Sequence, residues 1–216
     1  MIVHTVTQGT TEWLRLRAGI PTASCFDQLL TPTGKLSTQS KGYMHRLLAE
    51  RMLGRPLVEA AVTSWMVRGS ELEAEAVTWY EAQRDCDTAR VGFVTDDGGT
   101  VGASPDRLVG ADGLLEVKCP KESVHVGYLL SESVGDAYRL QVQGQLWVCE
   151  RRWVDVVSYS PELPTALIRV ERDEAFIEML AAAVATFSFA LETHAAALRD
   201  RGWIHPKETN HAQDPT

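Results

Sequence analysis

The sequence predicts a mixed α/β or α+β domain, on two observations. Segments with helical hydrophobic periodicity alternate with short apolar segments bounded by turn residues, in the order helix, helix, strands, helix, strands, helix. The 216 residues, 44% hydrophobic and 23% charged, suffice for one domain with a full core. That domain is placed over residues 1–204, with a polar tail over 205–216.

The elements follow in order. Ser24 is positioned to cap a helix from Cys25 onward. Thr31-Pro32-Thr33-Gly34-Lys35 reads as a turn, without the glycine spacing of a phosphate-binding P-loop. Lys41–Leu53 reads as a helix stopped by Gly54 and Pro56. Trp65–Arg84 reads as a second, with Leu72, Ala76, Val77, Trp79 and Tyr80 on one arc. Strands are expected over Ala89–Thr95, Val101–Ser104 and Leu114–Cys119, with turns at Asp96–Gly99 and Gly110–Gly113. Tyr138–Val148 reads as a buried helix, and Trp153–Tyr159 and Ala166–Val170 as strands. Asp173 can cap a long alanine-rich helix running to about Arg199.

Composition narrows the function classes. No apolar run is read as reaching the roughly eighteen residues of a membrane span, and Met1–Thr11 lacks the pattern of a secretory signal, so a cytoplasmic protein without membrane partners is expected. Cys25, Cys86, Cys119 and Cys149 form no close pair, which argues against structural zinc and for free thiols. The net charge of −8 alone weighs against a nucleic-acid partner. Residues 13–49 nevertheless carry Arg15, Arg17, Lys35, Lys41 and Arg46 against one acid, Asp27. Such a segment can hold a phosphate backbone while the rest stays acidic.

The chemistry concentrates in Ser104-Pro105-Asp106 and Leu115-Glu116-Val117-Lys118. Alternate strand residues share a face, so Glu116 and Lys118 stand together while Leu115, Val117 and Cys119 face a core. If the strand leading to Asp106 is an antiparallel neighbour, the three side chains converge. Two carboxylates make a hard-oxygen site suited to Mg²⁺, and a metal-bound water beside a lysine is a means of phosphodiester hydrolysis. Glu73 lies within the apolar arc of its helix, where a carboxylate needs a metal or an arginine. Gln141 and Gln143 sit in a segment apolar on several sides. Arg17 near Ser24 at a helix start would make a phosphate site.

Taken together, W-x-x-x-R-x-G-I-x-T-A-S at Trp13–Ser24, R-G-S-x-x-E at Arg68–Glu73, S-P-D at Ser104–Asp106, L-E-V-K-C-P at Leu115–Pro120 and Q-V-Q at Gln141–Gln143 resemble the phage lambda exonuclease or YqaJ-type viral recombinase family of the PD-(D/E)xK nuclease superfamily. The resemblance implies a restriction-endonuclease-like core, a mixed central sheet flanked by helices. It implies Asp106, Glu116 and the Val117 carbonyl as ligands of Mg²⁺, two ions per site with Mn²⁺ a possible substitute. Lys118 would position the attacking water, Glu73 would support the metal site, and Gln143 would be the active-site glutamine with Gln141 its neighbour. Arg17, with Ser24 beside it, would grip the 5′-phosphate; Arg15, Lys35, Lys41 and Gln141 are further DNA-contact candidates. The implied activity is 5′-to-3′ digestion of linear double-stranded DNA with free ends, leaving a 3′ single strand, by a homotrimer working with a single-strand annealing protein in a phage- or prophage-infected bacterial cell. Lys121–Tyr138 and the loop around Lys35 match no family word. A sequence-specific endonuclease and a non-catalytic DNA-binding module remain open on the same fold. An iron–sulfur exonuclease is disfavoured, since no cysteine follows Cys149.

Overall fold

The computed structural model describes residues 1–57, 64–131 and 133–204; the side chains of 64–71 and 137 are not among those described. The expected tail and the Arg68-Gly69-Ser70 side chains of the R-G-S-x-x-E word therefore lie outside the described residues.

Two sheets carry the fold. β1 (Ile2–His4), β3 (Phe93–Thr95) and β4 (Gly102–Ala103) form a small antiparallel sheet in the order β1-β3-β4. β2 (Thr88–Arg90), β5 (Arg107–Val109), β6 (Gly113–Lys118), β7 (Trp153–Ser158) and β8 (Ala166–Glu171) form the central sheet in that order. Among the described strands only β6 and β7 pair in parallel, and the chain between them supplies α4 (Glu122–Ser131) and α5 (Gly135–Val148). The mixed central sheet flanked by helices is the predicted architecture.

Alternation along β6 and β7 divides the core. Leu114, Val154 and Val156 pack with Leu140, Val142 and Leu146 of α5 and with α6 (Glu174–Asp200). Leu115, Val117 and Val157 point oppositely, onto Ala76, Val77 and Tyr80 of α3 (Ser64–Arg84). Burying each large apolar side chain contributes about 1.5–3 kcal/mol. α2 (Ser40–Leu53) ends where predicted, on Gly54 in the left-handed region at φ 63°. Asp173 caps α6 as expected, accepting from the Phe176 amide at 3.0 Å.

Several expectations are corrected. The run Ala89–Thr95 is two strands in different sheets, because the chain crosses at Gly92, where a Cβ would stand 2.0 Å from the Val6 carbonyl oxygen. The strand within Val101–Ser104 pairs with β3, not β6. The antiparallel neighbour of β6 is β5, too short between two turns to stand out in the sequence. Residues 23–28 form a 3-10 helix after Thr22, and Ser24 lies inside it rather than capping it. α1 (Thr11–Arg17) and α4 were not foreseen.

α6 is also long and apolar enough to cross a bilayer by length and composition alone, with a mean hydropathy of 1.6 over an 18-residue stretch, contrary to the expectation of no such run. Its alanines raise the average, and Phe176, Ile177, Leu180, Val184, Phe187 and Leu191 form a buried stripe against the core. α5 lies close on the 3-10 helix at Gly144, where a Cβ would meet the Phe26 ring at 2.5 Å.

Candidate active site

β5 and β6 bring the predicted carboxylates together. Arg107 pairs across the ladder with Leu115, so Asp106, one residue earlier, meets the Glu116 end of β6. Asp106 Oδ2 accepts from the Val117 amide at 2.6 Å. Burial, then the negative charge of Glu116, push the Asp106 carboxyl well above the usual carboxylate range, against that hydrogen bond.

Glu116 is buried and held by three nitrogens. Lys118 Nζ and Gln141 Nε2 donate to Oε1 at 2.7 and 2.6 Å, and Gln145 Nε2 donates to Oε2 at 2.7 Å. Burial works against the Lys118 ammonium, but the charges of Glu116 and Asp106 outweigh it and raise its pKa above that of a free lysine. Lys118 also lies 4.9 Å from the Tyr138 ring centre. In this state the lysine is a cation.

Two carboxyl groups thus share one ammonium in a dehydrated place, where ionising both at once is costly. A divalent cation would relieve the imbalance, and the donor set suits a hard ion. Among the described residues, Asp106 Oδ1 has no hydrogen-bond partner, and no group of three His, Cys, Asp or Glu forms a metal cage. Two carboxylates and retained waters are what Mg²⁺ accepts.

Gln143 is not at this centre. Two residues along a helix is about 200° of rotation, so it faces away from Gln141, whereas Gln145 at i+4 shares the Gln141 face. Gln143 Nε2 donates to the Glu171 carbonyl at 2.8 Å, and its Oε1 accepts from the Asp173 amide at 2.9 Å, tying α5 to the start of α6. The glutamines in contact with Glu116 are Gln141 and Gln145. Among the described residues, the buried Gln145 Oε1 has no hydrogen-bond partner.

Glu73 lies on α3, half-buried, and accepts from Arg107 Nη1 at 3.2 Å, the arginine pairing that a carboxylate on an apolar arc calls for. Glu73, Asp106 and Arg107 line a cleft of about 460 Å³ together with His4, Gln8 and Arg90. Gln8 fixes one wall, donating to the Pro105 carbonyl at 2.9 Å.

The second predicted cluster assembles beside this one. Arg17 Nη2 donates to Ser24 Oγ at 3.0 Å and to Thr22 Oγ1 at 3.5 Å, and Nη1 donates to Ser104 Oγ at 3.0 Å. The guanidinium lies 4.3 Å from the Trp13 ring centre. Burial lowers its pKa, though an arginine stays charged. Among the described residues it has hydroxyl partners and no carboxylate within ion-pair distance. Ser104 Oγ also accepts from Trp13 Nε1 at 3.0 Å, so both lone pairs are used and its proton is free to donate. Thr22 Oγ1 and Ser24 Oγ share a proton at 3.4 Å, so a guanidinium among hydroxyls, with the Ser104 proton to give, is an arrangement suited to an anion.

The remaining basic candidates stay outside both clusters. Arg15 is exposed on α1, Lys35 is exposed on the turn, and Lys41 is exposed at the start of α2. Ser104, Gln145 and Arg107 were missed as site residues. Ser104 stood inside a recognised word, and Gln145 was findable by its i+4 spacing from Gln141. Arg107 became visible only through β5.

Comparison with known proteins bears on the family and the fold. The YqaJ-like viral recombinase domain matches residues 12–152. The crystal structure of an alkaline exonuclease from Laribacter hongkongensis superposes with a TM-score of 0.80 at 32% identity, covering 89% of this chain and 98% of that one. The same enzyme in complex with dAMP gives a TM-score of 0.79 at 32% identity, over 89% and 98% of the two chains. A phage-related exonuclease from Haemophilus somnus 129PT shares the fold, with a TM-score of 0.64 at 15% identity over 83% of this chain and 96% of that one. No curated protein matches by sequence. With its carboxylate pair, lysine and anion pocket on this fold, the chain belongs to the YqaJ-like viral recombinase family, alongside the phage-type alkaline exonucleases.

Proposed function

We propose that the protein is a Mg²⁺-dependent exonuclease that digests linear double-stranded DNA from its 5′ ends and leaves a 3′ single strand for phage-type recombination. The carrying observation is the proximity of the two clusters along the chain: Ser104, which closes the anion pocket, is two residues from Asp106. That step spans at most about 7 Å, and successive phosphates on one strand advance by roughly 3.4 Å along the duplex axis. One anchored phosphate therefore leaves a near neighbour at the carboxylates. The dAMP complex of the Laribacter enzyme supports the reading, since dAMP carries a 5′-phosphate monoester.

Asp106 and Glu116, with the Val117 carbonyl, would hold the metal, two ions per site, Mn²⁺ serving in place of Mg²⁺. When bound, the metal supplies an activated water and neutralises charge on the phosphate. Lys118 offers its ammonium to the attacking water or the developing charge. Gln141 and Gln145 fix the Glu116 carboxylate, and Glu73 steadies the cleft through Arg107. Arg17, Ser24 and Ser104 take the 5′-phosphate. A homotrimer acting in the cytoplasm with a single-strand annealing protein belongs to the same reading, with Arg15, Lys35 and Lys41 as outer contacts to the duplex.

The test is digestion of linear duplex labelled at the 5′ or 3′ end, with Mg²⁺ or EDTA, beside a closed circle and the Lys118→Ala variant. Metal-dependent release of the 5′ label first, with circles intact and the variant inactive, is expected. Cut circles would move the assignment to an endonuclease, and binding without cleavage to a DNA-binding module.

A further inference from the structure

We infer that Tyr138 is a positioning residue for Lys118, its ring face holding the ammonium beside the carboxylates independently of Glu116; this rests on the metal-dependent nuclease reading above. Lys118 Nζ lies over the Tyr138 ring, 4.9 Å from its centre. The same nitrogen donates to Glu116 Oε1 at 2.7 Å. A lysine ammonium has three N–H donors. With Glu116 on one side and the ring on another, it keeps a donor for a water or a phosphate oxygen.

The ring is itself fixed. Tyr138 lies in the first turn of α5, three residues before Gln141, so the two share a face of that helix. One helix therefore presents both the amide that holds Glu116 and the ring that holds Lys118. Behind the ring stands a buried cluster of Tyr128 from α4 with Ala166 and Ile168 from β8. The Tyr128 and Tyr138 ring centres are 6.2 Å apart. Burial, then the neighbouring Tyr138, push the Tyr128 hydroxyl up, so it stays protonated beside its partner. The stretch that matches no family word thus supplies, through these two tyrosines, the wall behind the lysine.

The chemistry of a ring suits this task. A carboxylate in its place would add a further acid where burial already opposes the ionisation of Asp106 beside Glu116. A hydroxyl or amide oxygen would occupy a donor. The face of a phenol attracts a cation through its quadrupole instead. Glu116 charge shared with a metal is charge withdrawn from Lys118, whereas the ring contact does not depend on Glu116.

The experiment compares full-length wild type with Tyr138→Leu, Tyr138→Phe, and the Tyr138→Phe protein carrying one, two or three fluorines on the new ring. It reads kcat and KM on linear duplex with Mg²⁺, Mg²⁺ affinity by calorimetry, and duplex binding in EDTA. Tyr138→Phe should stay within about threefold of wild type, since the ring remains. Tyr138→Leu should lower kcat by about tenfold to thirtyfold, as loss of a desolvated cation–π contact requires. Its KM, Mg²⁺ affinity and metal-free DNA binding should not change. Each added fluorine should lower kcat further, because it draws charge from the ring face at nearly constant shape. A ring that only fills space would give a flat series, and a flat series overturns the inference. So does an unchanged kcat in Tyr138→Leu, a loss confined to KM, or a loss of Mg²⁺ affinity. A Tyr138→Phe protein as slow as Tyr138→Leu also overturns it, by moving the role to the hydroxyl. If Tyr138→Leu does not fold, the fluorinated series decides alone. Wild type that does not cleave with Mg²⁺ instead overturns the nuclease reading, and this inference with it.

Discussion

Glu116 and Asp155 are both buried carboxylates on adjacent parallel strands, and their surroundings are opposites. Asp155 faces α3 and is over-supplied with cations. Arg169 binds both its oxygens at 2.8 Å, Arg84 approaches to 3.5 Å, and the Tyr80 hydroxyl donates at 2.8 Å. Glu116 faces α5 and receives one ammonium and two neutral amides while a second carboxylate stands nearby. The first arrangement is finished without a ligand; the second is left short of positive charge. Burial alone does not mark a functional acid, whereas an unbalanced charge beside a cleft does.

The largest effect expected from that contrast is on activity. Glu116→Gln or Lys118→Ala should reduce DNA digestion by about a thousandfold or more while leaving the circular dichroism spectrum intact. Asp155→Ala should act conversely, lowering stability by about 3–5 kcal/mol through loss of a buried ion pair, as read by urea unfolding. Loss of activity in a fully folded Asp155 variant would break the comparison.

A finer division runs along α5. Gln145→Leu should slow cleavage by about tenfold to a hundredfold and weaken Mg²⁺ binding measured by calorimetry, since it frees one Glu116 oxygen. Gln143→Leu should chiefly destabilise, by about 1–3 kcal/mol for unpaired buried groups. If Gln143→Leu abolishes cleavage without loss of stability, the assignment along this helix is reversed.

Divalent cation sharpens the same contrast. Mg²⁺ should raise the thermal midpoint of wild type and leave that of Asp106→Asn unmoved. Without metal, the asparagine protein should be at least as stable as wild type, because a repulsion is gone.

The smallest effect is a cap. The Phe176 amide, then Arg139, hold the half-buried Asp173 carboxyl below its usual range. Its contribution is therefore present above the ordinary aspartate value near about 3.9 and is lost as pH falls through the lower native one. Asp173→Ala should cost about 1 kcal/mol at pH 7 and little at strongly acid pH, by urea unfolding at both.

The carboxylate site was legible because its determinants are local. Period-two alternation placed Glu116 and Lys118 together, and both fell where expected. The Arg17–Ser24 pairing was legible within one short word, although the capping role given to Ser24 was not correct. What escaped depends on distant chain. β5 is three residues between turns and is defined by its partner. Asp155 acquires its meaning from Arg169 and Tyr80, 14 and 75 residues away. Gln143 was assigned from the Q-x-Q word it shares with Gln141, where helix rotation separates the two.

The contact at Gly144 has a mechanical consequence. α5 carries Gln141 and Gln145, which orient Glu116, and it rests directly on the 3-10 helix that carries Ser24. A side chain at 144 would act as a shim, displacing one against the other. The Arg17 hydroxyl cluster and the aim of the carboxylate would then drift together, so position 144 sets a shared tolerance for two parts that a sequence reader would treat as separate.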